Sequence, residues 1–147
     1  MSELFIRDAI PNDVSQIEKI EKSSFSTPWS EKWLLDEINK PDDFFWVATD
    51  GEDILGYAVV GKLGAEAELY NIAVDNAHRG KGIGTLLMEH LKKEVSEDGA
   101  EAVFLEVRET NAAAISLYEK HGFKSVGRRR DYYREPTEDA ILMMLSL

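Results

Sequence analysis

The stretch LYNIAVDNAHRGKGIGTLL, residues 69–87, decides how this chain folds and what it can hold. An apolar, strand-like run leads into a short polar turn, three glycines within five residues, and the start of an amphipathic helix. Glycine lets the backbone approach a ligand closely. The free amides and the positive dipole end of the following helix attract an anion. The segment therefore predicts a strand–turn–helix cradle for a phosphate group.

Two familiar phosphate-binding motifs do not fit this loop. The Walker pattern requires Gly-Lys-Ser or Gly-Lys-Thr, which Gly80-Lys81-Gly82 does not supply. The dinucleotide fingerprint requires a third glycine at a spacing that is absent whether counted from Gly80 or from Gly82. The pattern present is Arg-x-x-Gly-x-Gly, at Arg79, Gly82 and Gly84. A glycine-rich turn that binds nothing is the alternative interpretation, because short glycine motifs are frequent.

Length and composition predict one domain, residues 1–147, of an ordinary soluble protein. The hydrophobic fraction is 44% and the charged fraction 31%. There is no cysteine, and the three histidines lie in different predicted elements without ligand spacing, so we expect no metal. The N-terminus lacks a signal-peptide pattern, and no apolar run approaches the roughly 20 residues that span a bilayer. These features predict a cytoplasmic protein that does not bind membranes.

The net charge of −11 argues against sequence-independent binding to nucleic acids, which depends on neutralising phosphates. An acidic surface is compatible with a cationic substrate, although it also serves simple solubility. Basic residues concentrate at two places: His78, Arg79 and Lys81 at the glycine loop, and the run 128–130. The glycine loop is therefore a basic exception on an acidic chain.

Periodicity predicts elements in the order β-α-α-β-β-β-α-β-α-β-β, which is typical of a mixed α/β sheet covered by helices. Ser30 and Asn111 are predicted to cap helices, and Asp50-Gly51 to turn a hairpin. The strands at 66–74 and 102–107 flank a crossover helix and should pair in parallel.

The sequence pattern also predicts which faces of two elements are buried and how the last hairpin pairs. The helix at 82–98 should bury one face. The strand at 102–107, nearly all apolar, should be covered on both faces. The last hairpin should pair residues 123–129 with 140–147 and carry Tyr132 and Tyr133 in its connection. The residues predicted on the buried helix face are Ile83, Leu86, Leu87, Leu91 and Val95.

A second constellation follows in LEVRETNAAAISLYEKHGF, residues 105–123. Glu106 interrupts a buried strand, where a carboxylate is costly unless paired, hydrogen-bonded or solvated. Such a group marks either a functional site or a structural pair with a neighbour such as Arg108. Tyr118 shares a helix face with the capping Asn111, and is either a site residue or part of the core.

These motifs carry a family resemblance. The Arg79–Gly84 pattern resembles the coenzyme A loop of the GNAT superfamily of N-acetyltransferases. The combination of NIAVD, LEVR, NAAAISLYEKHGF, RRRDYY and EDAILM is more specific. Together with TPWSEKWLLDEI near residue 30, it resembles the family of bacterial ribosomal-protein-alanine N-acetyltransferases. The resemblance covers most of the chain. It implies the GNAT fold, a mixed, mostly antiparallel sheet of about seven strands flanked by four helices.

The resemblance also implies roles for particular residues. Glu106 would be the general base and Tyr118 the general acid. Acetyl-CoA would be the co-substrate, and no metal would take part. The backbone of Ile72, Ala73 and Val74 would pair with the pantetheine arm, and Asn111 would contact coenzyme A. The pyrophosphate would be held by the loop residues Arg79, Gly80, Lys81, Gly82, Ile83, Gly84 and Thr85.

The implied function is direct transfer of an acetyl group to the N-terminal α-amine of a protein, most simply a small-subunit ribosomal protein that begins with alanine. No cysteine is available to form a covalent intermediate. Acetylation of a small amine, or a non-catalytic acetyl-CoA-binding module, are the alternatives. Glu68, on the strand before the loop, is a rival for the role of base. The partner would be a protein N-terminus, and the chain itself could act as a monomer.

Overall fold

Seven strands and four α-helices make up the computed structural model, which describes residues 3–147. Their order is the one that periodicity predicts. Short 3₁₀ turns at Pro11–Asp13 and Asn76–His78 precede the first and third helices. The elements are β1 Phe5–Asp8, α1 Val14–Ser24, α2 Glu31–Ile38, β2 Phe44–Thr49, β3 Ile54–Leu63, β4 Glu66–Val74, α3 Ile83–Glu97, β5 Ala102–Arg108, α4 Ala112–Lys120, β6 Lys124–Tyr133 and β7 Glu138–Ser146.

The strands form one sheet in the order β1-β2-β3-β4-β5-β7-β6. Every neighbouring pair is antiparallel except β4 and β5, which are parallel on either side of the crossover helix α3. The mixed, mostly antiparallel sheet and the parallel pair are therefore confirmed. Helices α1 and α2 pack on one face of β2, β3 and β4, whereas α3 packs on the other face of the same strands.

Local capping chemistry sets the helix ends. The Ser30 side chain accepts a hydrogen bond from the Trp33 amide at 3.1 Å, which starts α2. The Asn111 side chain accepts from the Ala114 amide at 3.1 Å and starts α4. Both predicted caps are confirmed. On α3, Leu86 is exposed although periodicity predicts it to be buried. Met88, which periodicity does not place on the buried face, is buried.

The sheet splits between β4 and β5. Parallel pairing covers only Glu66–Leu69 with Ala102–Leu105, although both strands continue beyond it. The register of β4 against β3 slips at the same point, leaving Tyr70 as the extra residue of a bulge. Because a bulge bends its strand, the end of β4 diverges from β5 and opens a cleft.

The prediction that β5 is covered on both faces is wrong. Val103, Leu105 and Val107 are buried in the core with α3 and α4, while the alternate residues are half-buried on the opposite face. Helices α1 and α2 pack on β2, β3 and β4, so they leave this part of the sheet open. The face that carries Glu106 therefore lines a groove rather than a core.

The final hairpin also differs from the prediction. β6 extends to Tyr133 and its register against β7 is irregular between Arg129 and Tyr133. Tyr132 and Tyr133 thus end the strand, and the connection proper runs over residues 134–137. The strand continues through this irregular pairing, so the turn begins after Tyr133 and not after Arg129.

Glu37, near the end of α2, is 3% exposed and lies beside Asp43 and Lys40. Burial raises the pKa of Glu37 to about 7; the Asp43 carboxylate adds to the rise and Lys40 opposes it. The folded chain thus keeps a proton that the unfolded chain releases above its ordinary pKa of 4.5. We expect the free energy of unfolding to fall by roughly 1–3 kcal/mol as the pH rises between those two values.

Urea unfolding measured at several pH values between these limits tests this expectation. Glu37→Gln should flatten the pH dependence, whereas Asp36→Asn, an exposed change on the same helix, should leave it in place. An unchanged slope in the Glu37 variant would show that another group carries the effect.

Candidate active site

Two connected grooves open along the split in the sheet. The larger has a volume of about 740 Å³ and the smaller about 580 Å³. They meet at a junction between the end of α1, β4 and the start of α4. The residues that line both grooves are Ser24, Phe25, Ile72, Asn111, Ala114 and Tyr118. A ligand in one groove can therefore approach a ligand in the other.

The smaller groove gathers nearly all of the residues predicted to bind the co-substrate. Lys81 is the exception; it is exposed and does not line the groove. The groove also takes in His78, which the sequence marks as part of the basic cluster at the glycine loop, and Leu117 and Lys120, which the sequence does not single out. The predicted residues that do line it are Ile72, Ala73, Val74, Arg79, Gly80, Gly82, Ile83, Gly84, Thr85 and Asn111.

The glycine loop has the backbone geometry of an anion cradle. Gly80 and Gly82 both have φ of 80°, a left-handed conformation that L side chains rarely adopt, and space is open where a Cβ would stand. Gly82 is the N-cap of α3, and the first intrahelical bond joins the Leu86 amide to the Gly82 carbonyl. The amides of residues 83–85 therefore remain free for an anion such as a pyrophosphate.

The larger groove contains Glu106, whose side chain is 19% exposed. Its Oε2 atom is buried and has no hydrogen-bond partner within residues 3–147. The nearest cation is Arg129, whose Nε lies 3.7 Å from that oxygen. The pair with Arg108 that the sequence left open does not form, because Arg108 is bound to Glu138 instead. A buried carboxylate oxygen without a donor is available to accept a proton from a ligand.

Glu68 lies close to Glu106 on the neighbouring strand. Burial raises the pKa of Glu68, the charge of Glu106 adds to the rise, and Arg129 opposes it. Two carboxylates facing one groove cannot both be ionised cheaply. Both therefore remain candidates for binding or deprotonating an amine.

Tyr118 is buried at the junction of the two grooves, with its ring 5.7 Å from that of Phe123. Burial raises the pKa of its hydroxyl, and the nearby Tyr133 adds to the rise. The hydroxyl therefore stays protonated at neutral pH and can donate. The ring also belongs to the core around α4, which confirms the core interpretation, and its position at the junction is compatible with a role in the site.

Tyr132 and Tyr133 close one end of the larger groove. Burial and the neighbouring Glu106 raise the pKa of Tyr132. Burial, with Glu106 as the next cause, raises the pKa of Tyr133 to about 12. The two rings meet edge to face with centroids 5.1 Å apart. They supply an aromatic wall beside the carboxylates.

Charge differs between the two grooves. The smaller one is lined by His78, Arg79 and Lys120 and by no carboxylate. The larger one is lined by carboxylates and by one cation, Arg108, whose guanidinium already faces a carboxylate. Arg129 lies 3.7 Å from Glu106 but is not among the lining residues. Phosphates are therefore favoured on one side of the junction and an ammonium group on the other. The carboxylates of the larger groove are Glu21, Glu68, Glu106 and Glu138.

Glu21 is a groove residue that the sequence pattern does not predict to be functional. It is 1% exposed, and its carboxylate accepts hydrogen bonds from the Tyr57 hydroxyl, from Asn71 at 2.8 Å and from the Trp29 amide at 2.8 Å. Burial raises the pKa of Glu21, whereas these donors lower it. Glu21 follows Ile17 by four residues and so lies on the buried face of α1. That spacing could have identified it as a buried carboxylate from the sequence.

Two kinds of feature are absent from residues 3–147: a cluster of metal-binding side chains and a membrane-spanning helix. No three His, Cys, Asp or Glu side chains in that range are grouped so as to hold a metal ion. No helix in that range is long and apolar enough to cross a bilayer.

Comparison with known proteins gives matches over nearly the whole chain. The model of the acetyltransferase (GNAT) family matches residues 14–123. The ribosomal protein bS18-alanine N-acetyltransferase of Escherichia coli strain K12 is 37% identical over 137 residues, 92% of each chain. The N-alpha-acetyltransferase RimI of Mycobacterium tuberculosis is 36% identical over 137 residues, 89% of this chain and 85% of the relative.

A solved structure agrees with the sequence matches. The ribosomal-protein-S18-alanine N-acetyltransferase of Escherichia coli superposes with a TM-score of 0.89 at 35% identity, covering 98% of this chain and 94% of the other. The fold and the paired grooves define an acyl-transfer enzyme. The chain belongs to the acetyltransferase (GNAT) family.

Proposed function

We propose that this enzyme transfers the acetyl group of acetyl-CoA to the N-terminal α-amine of a protein, and that its substrate is a bS18-type ribosomal protein beginning with alanine. The relatives that carry this name are 37–38% identical over 92% of the chain, which supports the choice of substrate. The observation that carries the chemistry is the unpartnered Oε2 of Glu106, buried in a carboxylate-lined groove that joins the glycine-loop groove.

In this proposal Glu106 makes the amine nucleophilic. A free α-amine has a pKa of about 7.7–8.0, so much of it is protonated at neutral pH. Glu106 accepts that proton directly or through one water molecule. Glu68 shares the groove and helps to hold the ammonium group before deprotonation. Acetyl-CoA supplies the activated acyl group, and the chain supplies the position and protonation state of both reactants.

Tyr118 is the proton donor to the leaving sulfur atom in this proposal. Its buried hydroxyl lies at the junction where the two grooves meet, and its raised pKa keeps the proton in place. A general acid must hold its proton until charge develops on the leaving group. No covalent bond to the enzyme is needed, and the chain contains no cysteine that could form one.

The glycine loop holds the pyrophosphate through main-chain amides. Residues Ile72, Ala73 and Val74 lie beyond the point where β4 leaves β5, so the edge facing the cleft is available to pair with the pantetheine arm. Arg79 folds back so that its Nε donates to the Val74 carbonyl at 3.4 Å. Asn111 lies at the groove junction and also caps α4.

The proposal is tested with acetyl-CoA and a panel of short peptides that differ at the first residue, read by mass. We expect acetylation of an alanine-initiated peptide from a bS18-type protein and weaker acetylation of peptides that begin with bulky residues. Polyamines and aminoglycosides are the comparison substrates. Faster turnover of a small amine would replace this proposal by the small-amine alternative, and turnover of none would favour a non-catalytic module.

A change at Gly82 tests the cradle. Gly82→Val should weaken acetyl-CoA binding by at least 10-fold, because a β-branched residue is strained at φ of 80° and the loop must refold to relieve it. Isothermal titration with coenzyme A measures the loss. Gly51→Val is the matched control, since Gly51 has φ of 99° in the turn between β2 and β3, away from both grooves. Equal affinity in both variants would contradict the cradle.

A further inference from the structure

Arg108, the last residue of β5, makes contacts that the proposed chemistry does not use. Its Nη1 atom donates to the Pro136 carbonyl at 2.9 Å and to Glu138 at 3.2 Å. Its Nη2 atom donates to the Arg134 carbonyl at 2.7 Å and to the Ser26 hydroxyl at 3.2 Å. The guanidinium carbon also lies 4.5 Å from the centre of the Tyr133 ring. One side chain thus meets five partners.

These partners belong to two separate walls of the larger groove. Ser26 lies in the segment between α1 and α2, residues 25–30, which lines one side of it. The other partners lie at the end of β6, in the connection 134–137 and at the start of β7. Along the chain, the partner on the first wall is 82 residues from Arg108 and those on the second wall are 25–30 residues from it. Arg108 therefore joins segments that nothing in the local sequence holds together.

The chemistry of the contact requires arginine. A guanidinium offers five donors in a rigid plane and can stack on an aromatic ring, whereas an ammonium group is a flexible point charge. Two of the acceptors are main-chain carbonyls, so the connection is held whatever side chains it carries. The second oxygen of Glu138 accepts from the amide and hydroxyl of Thr110, at 2.6 and 2.5 Å, immediately before the α4 cap. The clamp thus extends toward the helix of Tyr118.

The far end of the first wall is anchored as well. Glu21 receives the Trp29 amide and is itself fixed by Tyr57 and Asn71. The segment is thus held at Trp29 by Glu21 and at Ser26 by Arg108. Loss of the Arg108 contacts would release the Ser26 end, whereas the Trp29 end would stay bound to Glu21.

We infer that Arg108 is a positioning residue that sets the width of the acceptor groove by clamping its two walls, and so determines affinity for the first residues of the acceptor peptide. The inference rests on the proposed function in that the larger groove is taken as the acceptor site. Arg108 acts through the walls and not on the reacting atoms.

Steady-state kinetics of Arg108→Gln and Arg108→Lys test this role. We expect Arg108→Gln to raise the KM for the peptide by about 10-fold, with kcat within about threefold and affinity for acetyl-CoA within about twofold. Arg108→Lys should recover little of the loss, because lysine lacks the planar fork. Arg130→Gln, on β6 and outside both grooves, is the control and should behave like the unaltered enzyme. A large fall in kcat at unchanged KM would make Arg108 catalytic and overturn the inference.

A double-mutant cycle separates clamping from direct contact with the peptide. Ser26→Ala should raise KM about two- to threefold alone and add nothing to Arg108→Gln, because the shared bond is already lost. Additive effects of the two changes would overturn the clamp, since they would mean that each residue acts separately.

Hydrogen exchange provides a readout that needs no acceptor. Arg108→Gln should accelerate amide exchange in residues 25–30 and 131–137 together, whereas Ser26→Ala should accelerate only the first segment. Unchanged exchange in both segments of Arg108→Gln would overturn the clamp even if the kinetics moved. If the unaltered enzyme acetylates no peptide, the proposed function fails, but the exchange pattern still decides the clamp.

Discussion

Replacement of Glu106 by glutamine is expected to lower kcat by about 100- to 1000-fold, the lower part of the roughly 100- to 10,000-fold that a general acid or base contributes. Glutamine has nearly the same shape, but its amide cannot accept the proton of an ammonium group. Oε2 of Glu106 is buried and accepts no hydrogen bond from the residues that the structure describes, so it is free to take the proton in the unaltered enzyme, and the variant loses this acceptor. Affinity for acetyl-CoA should stay unchanged, because Glu106 does not line the smaller groove.

The measurement is kcat with a saturating peptide, alongside titration with coenzyme A. Glu68→Gln is the matched comparison, because Glu68 lies in the same groove with a raised pKa. We expect a fall of less than about fivefold in that variant, since it keeps the proton acceptor. An inactive Glu68→Gln enzyme together with a fully active Glu106→Gln enzyme would exchange the two roles.

Tyr118→Phe is expected to lower kcat by about 10- to 100-fold, at or below the lower limit of roughly 100-fold for general acid catalysis, because a thiolate is a stable leaving group. The loss should be in turnover and not in folding, since phenylalanine preserves the packing against Phe123. Tyr133→Phe is the control: its hydroxyl also lines the groove, yet we expect a change of less than fivefold, because proton donation is assigned to Tyr118.

The effect of Tyr118→Phe on kcat should not depend on pH near neutrality. Burial raises the pKa of Tyr118 above its ordinary value of 10.0, so the hydroxyl keeps its proton throughout pH 6–9. The ratio of kcat between the unaltered enzyme and Tyr118→Phe should therefore stay constant over that range. A ratio that declines toward one as the pH rises would mean that the donor loses its proton there, which identifies a group other than Tyr118.

Much of the fold can be predicted from interactions between residues that are only a few positions apart in the sequence. Ser30 and Asn111 cap helices because their side chains reach amides three residues ahead. The turn at Gly80 and Gly82 has φ of 80° at both residues, a conformation that glycine adopts at little cost. In each case the deciding contacts lie within a few residues of each other.

Predictions fail where the deciding contact comes from elsewhere in the chain. β5 was expected to be covered twice because its residues are apolar, but α1 and α2 stop short of it. A pair between Glu106 and Arg108 is one of the two interpretations that sequence proximity leaves open, yet the cation beside Glu106 is Arg129 of β6. Tyr133 was placed in a turn, although irregular pairing with β7 extends the strand. The type of a residue does not reveal which strand or helix packs against it in the folded chain.

The sequence by itself determined the order of strands and helices, the parallel pairing of β4 with β5 across α3, and the glycine turn that precedes α3, because capping, periodicity and crossover handedness are local or nearly local properties. Only the tertiary structure decided where β4 leaves β5 at the Tyr70 bulge, that Glu106 faces an open groove, and that Arg108 binds Ser26. The physical reason is that these features depend on strand register and on side chains up to 82 residues apart, which meet only when the whole sheet has assembled.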